Sequence, residues 1–344
     1  MSLSSLPSVS LGESQVKNLT PVKLFPGKDT PFTSLAHNPQ GTFFITTSPA
    51  GSLQLYDALR GRHSKTIYSK KYGCSNGTFL LKASQQSTPS SCVIASTIPA
   101  SNNNKANNAL RFLDLNTNSF IRYFTAHTAQ VTSVVSSTST YYGFDTFYSA
   151  SRDGTIRVWD SRTETPNSTL AGMGRNPVIS IDPSGSIMAI WNGSKRVVNL
   201  VQVDYFPNGL ISSIPVDVNG DVECMKWAGN LLIVDVPGRD KIVIDTLQHS
   251  VVSRLVGVTE FVTDTDDVVR SGSLDITPDS KWCFGGSGDA SILAWSLHDL
   301  SPKQRPIIID SLVDKQAIPR IVVHNPKLAC LVTADTEIVL NLYS

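Results

Sequence analysis

One unit of the sequence constrains the fold more than any other feature. Residues 124–170 contain four short segments in which apolar residues alternate with polar ones, separated by turn-forming residues. His127 precedes the first segment, Ser149 lies in the second, and Asp153-Gly154 forms a turn before a third segment that ends in Trp159-Asp160. Weaker copies recur at intervals of about 40 to 50 residues, a period typical of a ring of small four-stranded sheets.

The other copies keep only parts of this pattern. In the clearest one, Asp289 precedes Trp295 by six residues, the same spacing as between Asp153 and Trp159. Degenerate copies occupy residues 32–57, 78–124, 178–185, 224–230 and 321–327. The total is about seven units, and no segment shows a convincing helical period. The sequence therefore predicts an all-β fold, a seven-bladed WD-repeat β-propeller.

A ring of sheets must close on itself, because an unpaired edge strand promotes aggregation. Residues 338–342 are expected to form the third strand of the last blade, which leaves its outer strand unsupplied. We predict that residues 22–25 provide it. The propeller would then span residues 19–344, with a disordered tail at 1–18 and an Asn-rich loop insertion at 98–108. Deleting residues 19–26 should unfold the ring, and deleting residues 1–17 should be harmless.

His127, Ser149 and Asp153 are the residue types of a catalytic triad. In this repeat, however, Asp153 of the turn is expected to accept a hydrogen bond from the imidazole of His127. The imidazole should contact the Ser149 hydroxyl, and that hydroxyl should contact the indole N–H of Trp159. We interpret the four residues as a structural tetrad that fixes the strands. No G-x-S-x-G motif is present, and the inner strands offer mainly Ser, Val and Ile, so we expect no catalytic residues.

No cofactor or metal site is expected either. Glu260, Asp264, Asp266 and Asp267 could supply oxygen ligands to calcium, but the glycine and closing glutamate of an EF-hand loop are absent, which favours a solvated acidic loop. The glycine-rich stretches at 172–174 and 285–288 lack the spacing of phosphate-binding loops. Five widely spaced cysteines without a C-x-x-C motif are expected to be reduced and buried.

The charge of the chain bears on its partners. A formal net charge of +1 supplies no long-range field for nucleic acid, and no apolar run is long enough for a membrane span. Turns between second and third strands, and links between blades, share one rim of a propeller. That rim is predicted to be basic and to bind an acidic or phosphorylated peptide. The residues assigned to it are Lys70, Lys71, Tyr72, Lys105, Arg152, Lys195, Arg196 and Arg239. Arg60 and Arg62 should lie on the opposite face.

Several strings go beyond the generic repeat. They are YSKKYGC at 68–74, LNTNSFIRYF at 115–124, and Asn325-Pro326-Lys327 followed by VTAD at 332–335. From about residue 20 onward the chain resembles the fungal WD-repeat subunit of the COMPASS histone-lysine methyltransferase complex. Two features depart from the family: Ala126 stands where a glycine usually precedes the histidine, and the Asn-rich insertion is longer than expected.

The resemblance implies a nuclear, non-catalytic scaffold that binds a segment of the methyltransferase subunit and links the complex to transcribing chromatin. The same family also looks like a component of the cleavage and polyadenylation factor, in its phosphatase module, with a role in mRNA 3′-end formation and transcription termination. A third interpretation is another WD-repeat adaptor, such as a ubiquitin-ligase receptor. Direct sequence-specific nucleic-acid binding and membrane association are not expected.

Overall fold

A computed structural model describes residues 10–27, 30–80, 89–97, 108–137, 145–261, 269–298, 300–309 and 318–343. These residues form seven antiparallel sheets arranged as the blades of a propeller. In each sheet the first strand lies innermost and the following strands succeed it outward. The seven-bladed all-β prediction is confirmed. Residues 98–107 of the Asn-rich insertion, including Lys105, lie outside the described residues.

The strands run in chain order from β1 to β29. They are β1 (Leu19–Phe25), β2 (Ser34–His37), β3 (Phe43–Thr47), β4 (Ser52–Asp57), β5 (Arg62–Tyr68), β6 (Ser75–Phe79), β7 (Ser91–Ala95), β8 (Leu110–Asp114), β9 (Ser119–Phe124), β10 (Val131–Ser136), β11 (Thr146–Ser151), β12 (Ile156–Asp160), β13 (Ser168–Leu170), β14 (Val178–Ile181), β15 (Ile187–Asn192), β16 (Val197–Gln202), β17 (Leu210–Pro215), β18 (Cys224–Ala228), β19 (Leu231–Asp235), β20 (Lys241–Asp245), β21 (Ser250–Leu255), β22 (Leu274–Ile276), β23 (Trp282–Gly286), β24 (Ile292–Ser296), β25 (Lys303–Gln304), β26 (Ile307–Ile309), β27 (Ile321–His324), β28 (Cys330–Ala334) and β29 (Ile338–Tyr343).

Consecutive groups of these strands make the blades. Blades 1 to 4 are β2–β5, β6–β9, β10–β13 and β14–β17, and blade 5 is β18–β21 with β25 added at its edge. Blade 6 is β22, β23, β24 and β26, and blade 7 is β27, β28, β29 and β1. The described residues also form a short helix α1 (Glu13–Lys17) and a 3-10 turn at Val203–Tyr205. Within the described ranges, no helix has the length and apolar character needed to cross a bilayer.

The core lies between neighbouring blades. The second and third strands alternate buried side chains to both faces, and each face packs against the next blade. One cluster joins Trp191 of blade 4 to Met225 and Val234 of blade 5, and each of these side chains is at most 2% exposed. All five cysteines are buried and free, as expected from their apolar surroundings. Stacking of this kind leaves the rims and the central channel as the places where polar side chains meet solvent.

Ring closure follows the prediction from the sequence. Strand β1 pairs antiparallel with β29 over residues 19–25, from Leu19 opposite Tyr343 to Phe25 opposite Ile338, with one irregularity after Pro21. Phe25 is buried beside Tyr56 of blade 1, with ring centroids 4.9 Å apart. The first strand of the chain therefore joins its last blade to its first.

The prediction of a disordered tail at 1–18 is wrong for its second half. Residues 13–17 form α1, and Leu11 and Val16 are 2% and 0% exposed, packed against Trp282 and Ile309 of blade 6. The indole Nε1 of Trp282 donates a hydrogen bond of 3.0 Å to the carbonyl of Leu11. Two apolar side chains and one buried hydrogen bond are enough to order this stretch. Residues 1–9 lie outside the described part of the chain.

Candidate functional site

The four tetrad residues form one continuous chain of hydrogen bonds in blade 3. The imidazole Nδ1 of His127 lies 2.9 Å from Asp153 Oδ2, and its Nε2 lies 2.7 Å from Ser149 Oγ. The indole Nε1 of Trp159 donates to the same Ser149 Oγ at 2.8 Å. The Asp153 carboxylate also accepts from Thr128 N and from Thr155 N and Oγ1.

This geometry suits a structural brace better than a nucleophile. Ser149 and Trp159 are 0% exposed and His127 is 2% exposed, so a substrate has no access to the hydroxyl. Burial lowers the pKa of His127 against the opposing effect of Asp153, which keeps the ring neutral at physiological pH. Burial would raise the pKa of Asp153, but hydrogen bonds from His127 and Thr155 hold it well below its usual range. The polar side-chain atoms of the tetrad are thus used in hydrogen bonds that hold the strands together.

Replacing Asp153 with alanine is expected to destabilise the protein by about 1.5–3 kcal/mol, the usual contribution of hydrogen bonds to a charged group. The folded-state pKa of Asp153 is depressed, so its contribution is present above about pH 4 and is lost as the pH falls through the folded-state pKa. Urea denaturation of both proteins at pH 7 measures the difference. Equal midpoints would show that the tetrad does not stabilise the blade.

The second clearest repeat lacks this tetrad. Trp295 of blade 6 is 0% exposed, but its indole donates to the backbone carbonyl of Val256 at 3.0 Å. Asp289 accepts from Ser291 within its own turn at 2.6 Å. The Asp-to-Trp spacing that the two repeats share therefore predicts the turn and the third strand of a blade. It does not predict the hydrogen-bond network of the tetrad.

All the predicted rim residues except Lys105, which lies outside the described residues, lie in turns and links at the same end of the blades. Lys70, Lys71 and Tyr72 lie in the link between blades 1 and 2, Arg152 in the β11–β12 turn, Lys195 and Arg196 in the β15–β16 turn, and Arg239 in the β19–β20 turn. We call this set the rim. Arg60 and Arg62 lie on the opposite face, at the β4–β5 turn, where both pair with Asp57.

The rim is less uniformly basic than expected. The Nη2 of Arg239 pairs with the carboxylate of Glu260, and Arg152 Nε donates to Asn176 Oδ1 at 2.7 Å. Asn176 in turn donates to Asp221. Lys70, Lys71, Lys195 and Arg196 are exposed. The basic character therefore rests mainly on the link at 70–72 and on the β15–β16 turn.

Tyr72 has a structural partner that the sequence did not reveal. The guanidinium carbon of Arg111 lies 3.8 Å from the centroid of the Tyr72 ring and about 6 Å from the rings of Phe120 and Tyr123. Arg111 is 0% exposed. The Tyr72 carbonyl also accepts from Ser96 Oγ and Thr97 N. The link that carries Lys70 and Lys71 is thus held rigidly against blade 2.

Sequence reasoning also missed an arginine pocket on the same face, near blades 5 to 7. Arg239, Arg270 and Arg320 line a cavity of about 640 Å³ together with Phe261 and Glu223. Arg270 is 9% exposed, and its Nε and Nη2 have no hydrogen-bond partner within the described ranges. Arg320 lies 5.4 Å from the Phe261 ring and pairs with Asp335 at 3.7 Å. Apart from Arg239, which lies in the β19–β20 turn, these residues lie in links between blades, where no repeat position signals them.

The central channel is more polar than the inner strands suggested. Alongside serine and valine it is lined by Glu223, Lys226 and Arg270, around a cavity of about 380 Å³. Lys226 pairs with Asp275 at 3.0 Å. Burial, reinforced by the nearby Asp235 carboxylate, raises the pKa of Glu223 to about 7. Glu223 and Arg270 belong to links and not to the inner strands, so the composition of those strands did not indicate them.

Glu223→Gln is expected to stabilise the protein at pH 8 by about 1–3 kcal/mol, because the substitution removes a carboxylate that is costly to bury. Because its folded-state pKa is raised, Glu223 does not destabilise the protein below about pH 4. As the pH rises toward 7, Glu223 destabilises the folded protein more and more. The gain should disappear below about pH 4.5. Thermal melts across this pH range measure it, and a gain independent of pH would contradict the assignment.

The described residues contain no group of three or more His, Cys, Asp or Glu side chains arranged to hold a metal ion. Of the predicted acidic loop, only Glu260 is described, and it pairs with Arg239. Asp264, Asp266 and Asp267 lie outside the described residues. What the described surface offers is a rigid rim with exposed cations and an arginine pocket, which suits the binding of a macromolecular partner.

Comparisons with known proteins agree with the fold. Residues 19–57 and 118–160 match the family described as WD domain, G-beta repeat. COMPASS component SWD2 of Saccharomyces cerevisiae is 27% identical, over 98% of this chain and 99% of its own length. Set1 complex component swd2 of Schizosaccharomyces pombe is 27% identical over 89% and 91% of the two chains. WD repeat-containing protein 82 of Drosophila melanogaster is 28% identical over 84% of each.

Proposed function

We propose, from the premise that this chain is a WD-repeat β-propeller related to the SWD2 components of COMPASS and Set1 complexes, that it is a non-catalytic scaffold subunit of a COMPASS-type histone H3-lysine methyltransferase complex. The observation that carries this proposal is similarity along the whole length, 98% of this chain against 99% of the yeast COMPASS component. Full coverage means that every blade has a counterpart in a protein named for membership of that complex.

A scaffold role fits the chemistry of the described residues. The residues that suggested a catalytic triad, His127, Ser149 and Asp153, are joined by hydrogen bonds that hold strands together, and His127 and Ser149 are buried. Exposed cations instead lie on rigid turns, and such turns recognise partners without catalysing a reaction. The protein would act in the nucleus, holding a segment of the methyltransferase subunit and linking the complex to transcribing chromatin.

The proposal is tested by affinity purification of the tagged full-length chain from its own cells, followed by mass spectrometry. We expect the methyltransferase and the other subunits of its complex among the strongest co-purifying proteins. Loss of H3-lysine methylation in cells depleted of the chain is the matching functional result. Recovery of polyadenylation-factor subunits or of a ubiquitin ligase, without the methyltransferase, would contradict the proposal.

The rim is proposed as the surface that receives an acidic or phosphorylated segment of a partner. Arginine and lysine donate charge-assisted hydrogen bonds to carboxylate and phosphate oxygens. Lys70 and Lys71 are exposed on a link that Arg111 and Ser96 hold in place. The arginine pocket adds Arg270, whose buried guanidinium nitrogens Nε and Nη2 are unpaired within the described ranges. The two groups of cations belong to different blades of the same face, so they would receive separate anionic groups of one partner.

This surface is tested by reversing Lys70, Lys71 and Arg152 to Glu in one variant. If these cations contact the ligand, binding of a fluorescent acidic peptide should weaken about tenfold or more, since each lost charged contact costs about 1.5–3 kcal/mol. Arg60→Glu/Arg62→Glu is the matched control, because it reverses charges on the opposite face. Equal affinities of the two variants would remove the rim as the binding surface.

A further inference from the structure

Blade 5 has an extra edge strand that no other described blade carries. After β24 the chain leaves blade 6, crosses to blade 5 and returns to form β26. During the crossing, β25 pairs parallel with the outer strand β21, placing Lys303 beside Arg254 and Gln304 beside Leu255. Arg254 N donates to Pro302 O and Val256 N donates to Gln304 O, each at 3.0 Å. We call residues 300–306 the crossing segment.

One serine holds the crossing segment in its turn. Ser301 Oγ lies 2.9 Å from the carbonyl of Lys303 and 3.0 Å from Gln304 Oε1, and Ser301 N donates to the same Oε1 at 3.1 Å. The carbonyl of Ser301 accepts from Ser253 Oγ on β21, so the turn is also tied to blade 5. The Lys303 carbonyl and Gln304 Oε1 are both acceptors. The Lys303 carbonyl accepts from the hydroxyl of Ser301, and Gln304 Oε1 accepts from the hydroxyl or the amide of Ser301.

The same serine lies in a sequence that a kinase can read. Ser301 is exposed, Pro302 follows it, and Lys303 and Arg305 supply positive charge just beyond. Proline disfavours helical backbone at the preceding residue and so presents Ser301 in an extended segment. Protein kinases of the proline-directed class require a Ser-Pro or Thr-Pro pair and favour basic residues after it. Thr165-Pro166 is another pair of this kind with an exposed threonine, but Asn167 and Ser168 follow it.

We propose that Ser301 is a phosphorylation site for a proline-directed Ser/Thr kinase and that its modification releases the crossing segment from blade 5. The Ser301 oxygen bonds to the γ-phosphorus of ATP, the bond from that phosphorus to the β,γ-bridging oxygen breaks, ADP leaves, and the hydroxyl proton passes to the base of the kinase. The phosphoester oxygen has no proton to donate. A phosphate of charge near −2 then faces the Lys303 carbonyl and Gln304 Oε1, both acceptors.

Release of β25 has a defined consequence for blade 5. The amides of Arg254 and Val256 lose their acceptors on the crossing segment, and the outer edge of β21 becomes an unpaired strand. An unpaired edge can accept an extended peptide through backbone hydrogen bonds. The crossing segment therefore covers the edge of β21, and a kinase controls its removal.

The test uses the full-length purified chain, a purified proline-directed kinase and ATP, with mass spectrometry to locate phosphate and hydrogen–deuterium exchange to follow the backbone. We expect phosphate on Ser301 and about tenfold faster exchange at the amides of Arg254 and Val256, as one or two hydrogen bonds of about 1 kcal/mol are lost. Exchange in β19 and β20 should not change.

Three variants make the outcome decisive. Ser301→Ala removes the acceptor of phosphate and should abolish the kinase-dependent change in exchange, whereas Thr165→Ala should leave it intact. Gln304→Ala removes the side-chain acceptor without adding charge, and is expected to accelerate exchange at Val256 by a smaller factor. Phosphate on Thr165 but not on Ser301, or phosphorylated Ser301 with unchanged exchange at Arg254 and Val256, would overturn the proposal.

Discussion

Deletion of residues 19–26 is expected to abolish the cooperative unfolding transition of the protein. These residues include all of β1, which pairs with β29 along its length and places Phe25 against Tyr56 of the first blade. Without β1, blade 7 loses its outer strand and β29 becomes an exposed edge with Ile338 and Leu340 uncovered. Circular dichroism on heating and gel filtration should show a broad transition and aggregated material.

A shorter truncation separates ring closure from general damage at the N-terminus. Deleting residues 1–17 keeps β1 but removes Leu11 and Val16, which are packed on blade 6. This variant should fold, with stability lowered by about 3–6 kcal/mol, since burying each of the two aliphatic side chains contributes about 1.5–3 kcal/mol. Identical melting temperatures for the two truncated proteins would show that β1 does not close the ring.

The blade architecture was predictable because its signals are local. Alternation of apolar residues, the Asp153-Gly154 turn and the spacing from Asp to Trp all lie within one repeat, and each repeat folds in contact with its neighbours. The helix at 13–17 and the crossing strand β25 were not predictable in this way. Their partners are distant in sequence or in another blade: Leu11 contacts Trp282, and Lys303 pairs beside Arg254.

In the candidate site too, residues within one repeat could be predicted and contacts between distant segments could not. The tetrad of His127, Ser149, Asp153 and Trp159 could be predicted, because its members occupy fixed positions within one repeat. The face on which the rim residues lie could be predicted from strand order alone. The ion pairs that neutralise part of the rim, and the buried Arg270 of the arginine pocket, could not. They arise where irregular links from different blades meet, and no spacing in the sequence encodes that meeting.

Lys241→Met is expected to destabilise the protein by about 3–5 kcal/mol, the usual cost of removing one member of a buried ion pair. Lys241 and Asp235 are both 0% exposed, and Nζ lies 2.5 Å from Oδ1. Asp235 Oδ2 accepts from the amide of Ser273 at 2.8 Å, so the pair also joins blade 5 to blade 6. Without the ammonium group, a carboxylate remains buried beside Glu223, whose pKa is already raised by burial and by Asp235.

Two further variants distinguish a stranded charge from lost packing. Lys226→Met, at a pair with Asp275 in which the two side chains are 33% and 14% exposed, should cost less than Lys241→Met, because solvent reaches this pair and Asp275 keeps its hydrogen bond from His324 N. Asp235→Asn/Lys241→Met should be more stable than Lys241→Met alone, because asparagine keeps an acceptor for Ser273 without the charge. Chemical denaturation at pH 7 gives all three values. If the double variant proved as unstable as Lys241→Met, the loss would come from the packing of the lysine side chain between the blades. The buried pair would then stabilise the protein through the shape of its side chains and not through their charges.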